Sequence, residues 1–171
     1  MTMTDIRTAL DAARDYLAQH PEDARSTDSA AVATLADGLT VRVTGPAGAT
    51  ITTDMVRSVG GTESAPSPGW LLRAAEASCV VTLIAMRAAM LGIELDAVEV
   101  KVDSVSDDRG LLGIDDAVPA GPLSGRVAVR LTAEGVDRDQ LEEIARWGVK
   151  HCPVCDALER EVPITTEVVV G

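Results

Sequence analysis

The chain has 171 residues, of which 15 are lysine or arginine and 27 are aspartate or glutamate, so its net charge at pH 7 is −12. This acidic balance disfavours nucleic acid and anionic membrane surfaces as partners, because both repel it during encounter. The length suits one domain with its own core, and three cysteines without a basic-then-apolar leader predict a reducing, cytoplasmic location.

The N-terminal third predicts one helix followed by strands. Residues 5–18 repeat apolar side chains at helical spacing, which is typical of an amphipathic helix, and residues 20–29 are polar and predict a linker. The dipeptide Asp37-Gly38 lies between alternating segments and predicts a β-hairpin, with a third strand over residues 49–53.

The most apolar element is a predicted helix over residues 69–91, which carries three charges, Arg73, Glu76 and Arg87. Apolar side chains on nearly every side predict a helix that is buried nearly all round. Its longest uncharged apolar stretch, residues 77–86, is too short to cross a bilayer. We therefore expect a core helix and no membrane segment.

Two further strands are predicted over residues 98–102 and 127–131, where valine and leucine alternate with polar side chains. The connection between them, residues 106–124, is rich in glycine and proline and predicts a loop. This connection is long enough for two copies of the chain to exchange segments.

The C-terminal part predicts two helices and a strand. Asp137 and Gln140 form a capping box for a helix through about Trp147, a short helix begins at Cys152, and residues 164–170 read as a strand. This order of elements predicts the α+β class, with an antiparallel sheet and helices on one of its faces.

The three cysteines carry the clearest chemical signal. Cys79 lies in the apolar helix, whereas Cys152 and Cys155 flank Pro153-Val154 at a helix start. Proline is favoured at the first helical position, which makes Cys152 the N-cap, where a thiolate is stabilised. Cys155 then falls at N3, so a local disulfide is geometrically easy and thiol redox chemistry is indicated.

Each cysteine also has a purely structural interpretation. Free cysteine often behaves as a small buried hydrophobe, which would account for Cys79 among its apolar neighbours. Cys79, Cys152, Cys155 and His151 are ligand types that zinc accepts, but a second closely spaced pair is missing. We therefore predict no metal and no other cofactor.

Three features of the sequence are informative together: the run Pro66-Ser67-Pro68-Gly69-Trp70 leading to Cys79, the helix exit Gly92-Ile93, and His151-Cys152-Pro153. In combination they resemble the OsmC/Ohr family of hydroperoxide-detoxifying proteins. The resemblance covers roughly residues 30–170. It implies an OsmC-like fold in which antiparallel sheets wrap around central buried helices in an intertwined homodimer, with active sites at the subunit interface.

The resemblance also implies a domain boundary and two site residues. Residues 1–28 form an added amphipathic helix and linker, and residues 29–171 form the OsmC-like domain. Cys79 matches the peroxidatic cysteine of the family, and Cys152 matches its resolving cysteine.

The sequence departs from the family pattern at three places. Gly69 stands where the hydroperoxide-resistance branch carries glutamate, and Asp37-Gly38 stands where that branch has a hairpin arginine. Cys155 occupies a position that is commonly serine. The sulfurs of a two-cysteine peroxidase are thus present without its usual charged residues.

A buried thiol needs a nearby cation to ionise. Arg42 on the predicted hairpin is the first candidate, and Glu76, one turn before Cys79, is a candidate to orient it. Arg42 also fits the solvated face of a strand, and Glu76 also fits a carboxylate that is paired elsewhere.

The implied reaction is reduction of a small organic hydroperoxide. The Cys79 thiolate attacks the peroxide, the resulting sulfenic acid condenses with Cys152, and a dithiol reductant resets the enzyme, with Cys155 able to accept the disulfide in turn. Two alternatives stay open: a non-catalytic hydrophobic-ligand-binding protein on the same scaffold, and a disulfide oxidoreductase that uses Cys152 and Cys155 alone.

Overall fold

The structure, a computed structural model, describes residues 2–171 and has the mixed helix-and-strand content expected for the α+β class. Its sheets are antiparallel. The described helices and strands are α1 (Met3–Gln19), β1 (Val32–Asp37), β2 (Thr40–Thr44), β3 (Thr50–Thr53), α2 (Pro68–Leu91), β4 (Ala97–Val105), α3 (Asp108–Leu111), β5 (Ser124–Thr132), α4 (Arg138–Lys150) and α5 (Pro153–Glu159).

The chain divides into two compact units, of which the first is Thr8–Ala75. It contains the antiparallel sheet β1-β2-β3, so the predicted hairpin and third strand are confirmed. Gly38 lies in the hairpin turn with φ +52°, a left-handed conformation that favours glycine. Arg42 lies mid-strand in β2 and is exposed.

The second unit consists of the segment up to Arg7 and Glu76–Gly171. Strands β4 and β5 form a regular antiparallel ladder from Ala97 opposite Thr132 to Val105 opposite Ser124. Their apolar side chains alternate along each strand, so one face of the ladder packs against the core of this unit. The core contains all three cysteines.

Helices α2 and α4 approach each other closely at Gly148. A Cβ atom placed on this glycine would lie 2.5 Å from Ile84 Cγ1 and 3.0 Å from the Ile84 backbone nitrogen. Ile84 and Ile144 are both fully buried, which stabilises the fold by about 1.5–3 kcal/mol for each side chain. The absence of a side chain at Gly148 therefore sets the spacing of α2 and α4, and α4 leads directly into the segment that carries Cys152.

A polar contact also joins α2 to α4. Arg87 on α2 donates to Glu143 on α4 at 2.6 Å, and its guanidinium lies 5.4 Å from the ring centroid of Trp147. His151 stacks on Trp147, with 4.1 Å between the ring centroids. The helix ends next to Cys152 are thus tied to α2 by both packing and charge.

The N-terminal cap of α4 is confirmed. The Asp137 carboxylate accepts a hydrogen bond from the backbone N–H of Gln140 at 2.8 Å. The connection between β4 and β5 is not entirely a loop, since it contains the single turn α3, which is capped by Asp107.

The prediction that α2 is buried on nearly all sides is wrong for the single chain. Its buried residues are Val80, Ile84, Ala88 and Ala89, and Trp70 is 50% exposed. By length and composition α2 is also apolar enough to cross a membrane, a criterion that the core helix of a soluble protein meets equally. One face of α2 forms the core, and much of its remaining apolar surface is only half-buried.

The predicted C-terminal strand is also wrong for the single chain. Residues 164–170 form no ladder with any described strand, and Ile164 and Val168 are largely exposed. A strand exists only where a neighbouring edge supplies hydrogen-bond partners. The alternating pattern is present in this segment, but no edge of the same chain pairs with it.

Candidate functional site

Cys152 lies where α4 ends and α5 begins. It is the N-cap of α5 and Pro153 occupies the first helical position, as predicted. Its Sγ accepts a hydrogen bond from the backbone N–H of Cys155 at 3.3 Å. The side chain is fully buried, so this sulfur is held in one place by the backbone around it.

Cys79 lies on α2 and joins the same apolar cluster, although it is far from Cys152 in sequence. Cys79 packs against a buried cluster that includes Val80, Ile84, Cys152 and Cys155. Cys79 is half-buried, whereas the other two cysteines are buried, so it is the most accessible of the three sulfurs.

The environments of Cys79 and Cys152 shift their pKa values in opposite directions. Burial raises the pKa of the Cys79 thiol, and its side-chain hydrogen bond with Cys152 raises it further. Burial also opposes ionisation of Cys152, but hydrogen bonds from the Cys155 backbone and from the two neighbouring thiols outweigh it, so the pKa of Cys152 is lowered. Of these two thiols, Cys152 is the one whose hydrogen bonds favour the thiolate.

Cys155 contacts a carboxylate. Its thiol donates to Glu76 Oε1 at 3.8 Å, and its side chain is only 4% exposed. The pKa of Cys155 is raised, first by burial and then by Cys152 and Glu76. Glu76 itself is half-buried on α2, one turn before Cys79.

Four of the five residues proposed from the sequence thus meet in one place. Cys79 and Glu76 come from α2, and Cys152 and Cys155 come from the start of α5. Arg42, the fifth, belongs to the other unit, where it is paired in β2 with Thr34 on one side and Thr52 on the other. Glu76 accepts a hydrogen bond from the Cys155 thiol, a partner that the sequence did not indicate.

The zinc interpretation gains no support. His151 is exposed, and its ring Nδ1 lies 2.8 Å from the Trp147 carbonyl oxygen, which accepts from it. Among residues 2–171 no group of three or more histidine, cysteine or acidic side chains is arranged to hold a metal ion.

One buried acidic residue was missed from the sequence. Asp54 follows β3 and is 1% exposed, and its carboxylate accepts hydrogen bonds from the backbone and hydroxyl groups of Thr62 and Ser64. These bonds, with that of Thr62 strongest, hold the pKa of Asp54 well below its usual range. The available signal was a threonine and a serine, eight and ten residues after an aspartate at the end of a strand.

The role of Asp54 is to shape the loop that precedes α2. Its backbone N–H donates to the Pro66 carbonyl, so both ends of the loop are fixed by one residue. Gly61 passes so close to Met55 that any Cβ there would collide with the Met55 backbone. This loop geometry explains the glycine-rich and serine-rich composition before the helix.

A groove of the second unit lies away from the cysteines. It has a volume of about 720 Å³ and runs between the β4-β5 ladder and α4, with Val98, Val129, Leu131 and Leu141 among its apolar lining. None of the cysteines lines it.

Comparison with known proteins places this arrangement in context. The family model of OsmC-like proteins matches residues 61–167. No match was found among curated proteins. An organic hydroperoxide resistance protein from Legionella pneumophila is similar in structure, with 21% identity, coverage of 78% of this chain and 90% of that chain, and a TM-score of 0.57.

Two further solved structures share the fold. An OsmC-like protein from Mycoplasma pneumoniae has 13% identity, covers 79% of this chain and 89% of its own, and gives a TM-score of 0.66. A protein described as an osmotic-stress-induced and detoxification-response protein from Psychrobacter arcticus has 22% identity, coverage of 78% and 90%, and a TM-score of 0.62.

Proposed function

The chain belongs to the OsmC-like protein family, and on that premise we propose that it is a thiol-dependent peroxidase that reduces organic hydroperoxides through Cys79 and Cys152. The observation that carries the proposal is the meeting of these two sulfurs, distant in sequence, in one core cluster. A merely structural role would require no such pairing. The Legionella relative, named as an organic hydroperoxide resistance protein, supports the same chemistry.

The first half-reaction begins at Cys79, the most accessible sulfur of the cluster. Cys79 releases its thiol proton to solvent and reacts as the thiolate, which the proposed cation Arg42 favours against the effect of burial. The Cys79 sulfur then attacks the terminal peroxide oxygen, the O–O bond breaks, and the alkoxide leaves and takes up a proton. The products are an alcohol and the sulfenic acid of Cys79.

The second half-reaction joins the two cysteines. The Cys152 sulfur attacks the Cys79 sulfenic sulfur, a disulfide forms and water leaves. Because Cys152 is held by the Cys155 N–H at 3.3 Å, its sulfur is oriented before oxidation occurs. A dithiol reductant then returns the pair to two thiols by exchange.

The surroundings of Cys79 favour an apolar substrate. Val80 and Ile84 are fully buried beside it, and Val154 packs against the same cluster. A strongly hydrated oxidant such as hydrogen peroxide loses water contacts in such a setting, whereas an alkyl hydroperoxide gains apolar ones. We therefore expect a preference for organic hydroperoxides.

We also propose that the active form is a cytoplasmic homodimer. Helix α2 leaves Trp70, Leu72 and Leu91 at least one-third exposed in the single chain, and residues 164–170 lack a paired strand edge. A second copy of the chain would cover both features. In this proposal residues 29–171 form the domain and residues 1–28 are an addition, of which Met3 packs against the core cluster.

Arg42 remains the proposed cation for ionisation of Cys79. The substitution Arg42→Ala should lower the rate of peroxide consumption at neutral pH and lower it less as the pH rises, because the cation acts by favouring the thiolate. Arg130→Ala, which removes an exposed arginine from the other sheet, is the matched control. Equal losses in the two variants would remove Arg42 from the proposed site.

The proposed function is tested by consumption of cumene hydroperoxide with a dithiol reductant. Cys79→Ser should abolish turnover, and Cys152→Ser should consume one equivalent and then stop at the sulfenic acid. Thr82→Ala, an exposed position on the same helix, serves as the control with unchanged activity. If Cys79→Ser consumed peroxide as fast as wild type, a function through Cys152 and Cys155 alone or a non-catalytic role would replace the proposal.

A further inference from the structure

Cys155 has contacts that the two-cysteine reaction does not use. Its backbone N–H donates to the Cys152 sulfur, and its thiol donates to the Glu76 carboxylate at 3.8 Å. It is 4% exposed, so it is shielded from oxidants and reductants in solution. A buried thiol that contacts both a reacting sulfur and a carboxylate is arranged for internal thiol exchange.

We propose that Cys155 is a second resolving thiol, which attacks Cys152 in the Cys79–Cys152 disulfide while Glu76 accepts its proton. The proposal rests on the proposed function, which supplies that disulfide. Its product is a Cys152–Cys155 disulfide and a free Cys79, so that oxidising equivalents move away from the peroxide-reacting sulfur.

The exchange is balanced without any external reactant. The Cys155 S–H bond breaks, its proton goes to Glu76, and a new bond forms between the sulfurs of Cys155 and Cys152. The Cys79–Cys152 bond breaks, and Cys79 leaves with the electron pair and is protonated by Glu76. One disulfide and one thiol are consumed, and one disulfide and one thiol are produced.

Glu76 is placed to serve both ends of this proton transfer. It contacts the Cys155 thiol directly and precedes Cys79 by three residues on α2, a spacing that puts the two side chains on one helix face. Burial raises the pKa of Cys155, so its thiol does not ionise unaided and needs a base at contact distance.

The leaving group also improves during the exchange. After burial, the contacts of Cys79 with the Cys152 sulfur are what raise its pKa. Those contributions vanish once the Cys152 sulfur is held in a disulfide and carries no charge. A thiol of lower pKa leaves faster, so the loss of these contributions speeds the departure of Cys79.

The first test follows both disulfides by peptide mapping after one equivalent of cumene hydroperoxide, with alkylation at successive times. Wild type should show Cys79–Cys152 first and Cys152–Cys155 later. Glu76→Gln should form the first disulfide at the wild-type rate and convert it to the second about 10²-fold more slowly. Glu159→Gln, an exposed carboxylate on α5 with the same charge change, should match wild type.

The pH dependence separates proton transfer from a structural effect of the substitution. In Glu76→Gln the exchange rate should rise with pH, because hydroxide must then ionise Cys155, and Glu76→Asp should restore part of the rate at neutral pH. Conversion in Glu76→Gln as fast as in wild type at neutral pH would overturn the role of Glu76.

A second arm uses diamide, which oxidises thiols to disulfides without peroxide. Diamide should leave Cys152–Cys155 as the main disulfide and Cys79 open to alkylation. If peroxide gave no disulfide while diamide gave Cys79–Cys152 first and Cys152–Cys155 later, the peroxidase function would fail and the internal exchange would stand. If both oxidants left only Cys79–Cys152, with Cys155 alkylatable throughout, the second resolving thiol would be refuted.

Discussion

The close approach of α2 and α4 at Gly148 makes a sharp prediction about what holds the sulfur cluster together. The substitution Gly148→Ala adds a methyl group 2.5 Å from Ile84 Cγ1 and 3.0 Å from the Ile84 backbone nitrogen. The Ile84 side chain can rotate away from the first contact. The second contact is with backbone, so the two helices must separate by some tenths of an ångström.

The magnitude follows from two opposing effects. Overpacking a close-packed core costs about 1–3 kcal/mol, whereas alanine in a helix interior is more stable than glycine by about 0.5–1 kcal/mol. Taking the middle of each range, the net loss in the free energy of unfolding is about 1 kcal/mol. For a chain of this size that corresponds to a fall in Tm of about 2–4 °C.

The assay is thermal and urea unfolding monitored by circular dichroism. Gly121→Ala is the matched control, because a Cβ there meets nothing within 4 Å. In Gly148→Ala combined with Ile84→Ala, the two losses should be less than additive, because removing the Ile84 side chain relieves part of the clash. Gly148→Ala as stable as wild type, or more stable through its helix propensity, would refute the close packing of α2 on α4.

Three other predictions concern the loop, the sulfurs and the assembly. The pKa of Asp54 is lowered in the folded state, so its contribution to stability is present above its unfolded pKa and is lost as the pH falls through its folded pKa. Asp54→Asn should remove this pH dependence from acid unfolding, whereas the control Asp28→Asn should keep it. Thiolate absorbance against pH should show one cysteine that ionises below the ordinary range, and this signal should vanish in Cys152→Ser. Light scattering at micromolar concentration should give a dimer mass, with Trp70→Glu shifted toward monomer, and a wild-type monomer would exclude the proposed assembly.

The local elements were predictable because their signals are local. Gly38 in the hairpin turn, Asp137 as the cap of α4, and Pro153 with Cys152 at the start of α5 each act through backbone geometry within a few residues. The position of Cys79 in an apolar helix was equally evident. From these features and the family resemblance, the fold class and the meeting of Cys79 with Cys152 followed.

What the sequence did not reveal depends on contacts between distant segments. The bond from Cys155 to Glu76 joins residues 79 positions apart, and no spacing rule connects them. In the sequence, Asp54 looks like any polar residue that follows a strand, because Thr62 and Ser64 contact it only in the folded loop. The exposure of α2 and the unpaired residues 164–170 were not predicted for the same reason. A hydrophobic pattern shows that an apolar surface needs to be packed against another surface, but not whether that surface belongs to the same chain.

The central claim is that Cys79 is the sulfur that reduces the peroxide. The most direct measurement treats Cys152→Ser with one equivalent of cumene hydroperoxide in the presence of dimedone, which traps sulfenic acids, and locates the adduct by mass spectrometry. Cys152→Ser should give one dimedone adduct per chain, on Cys79, and one equivalent of the alcohol. An adduct on Cys155, or peroxide consumed without any adduct on Cys79, would contradict it.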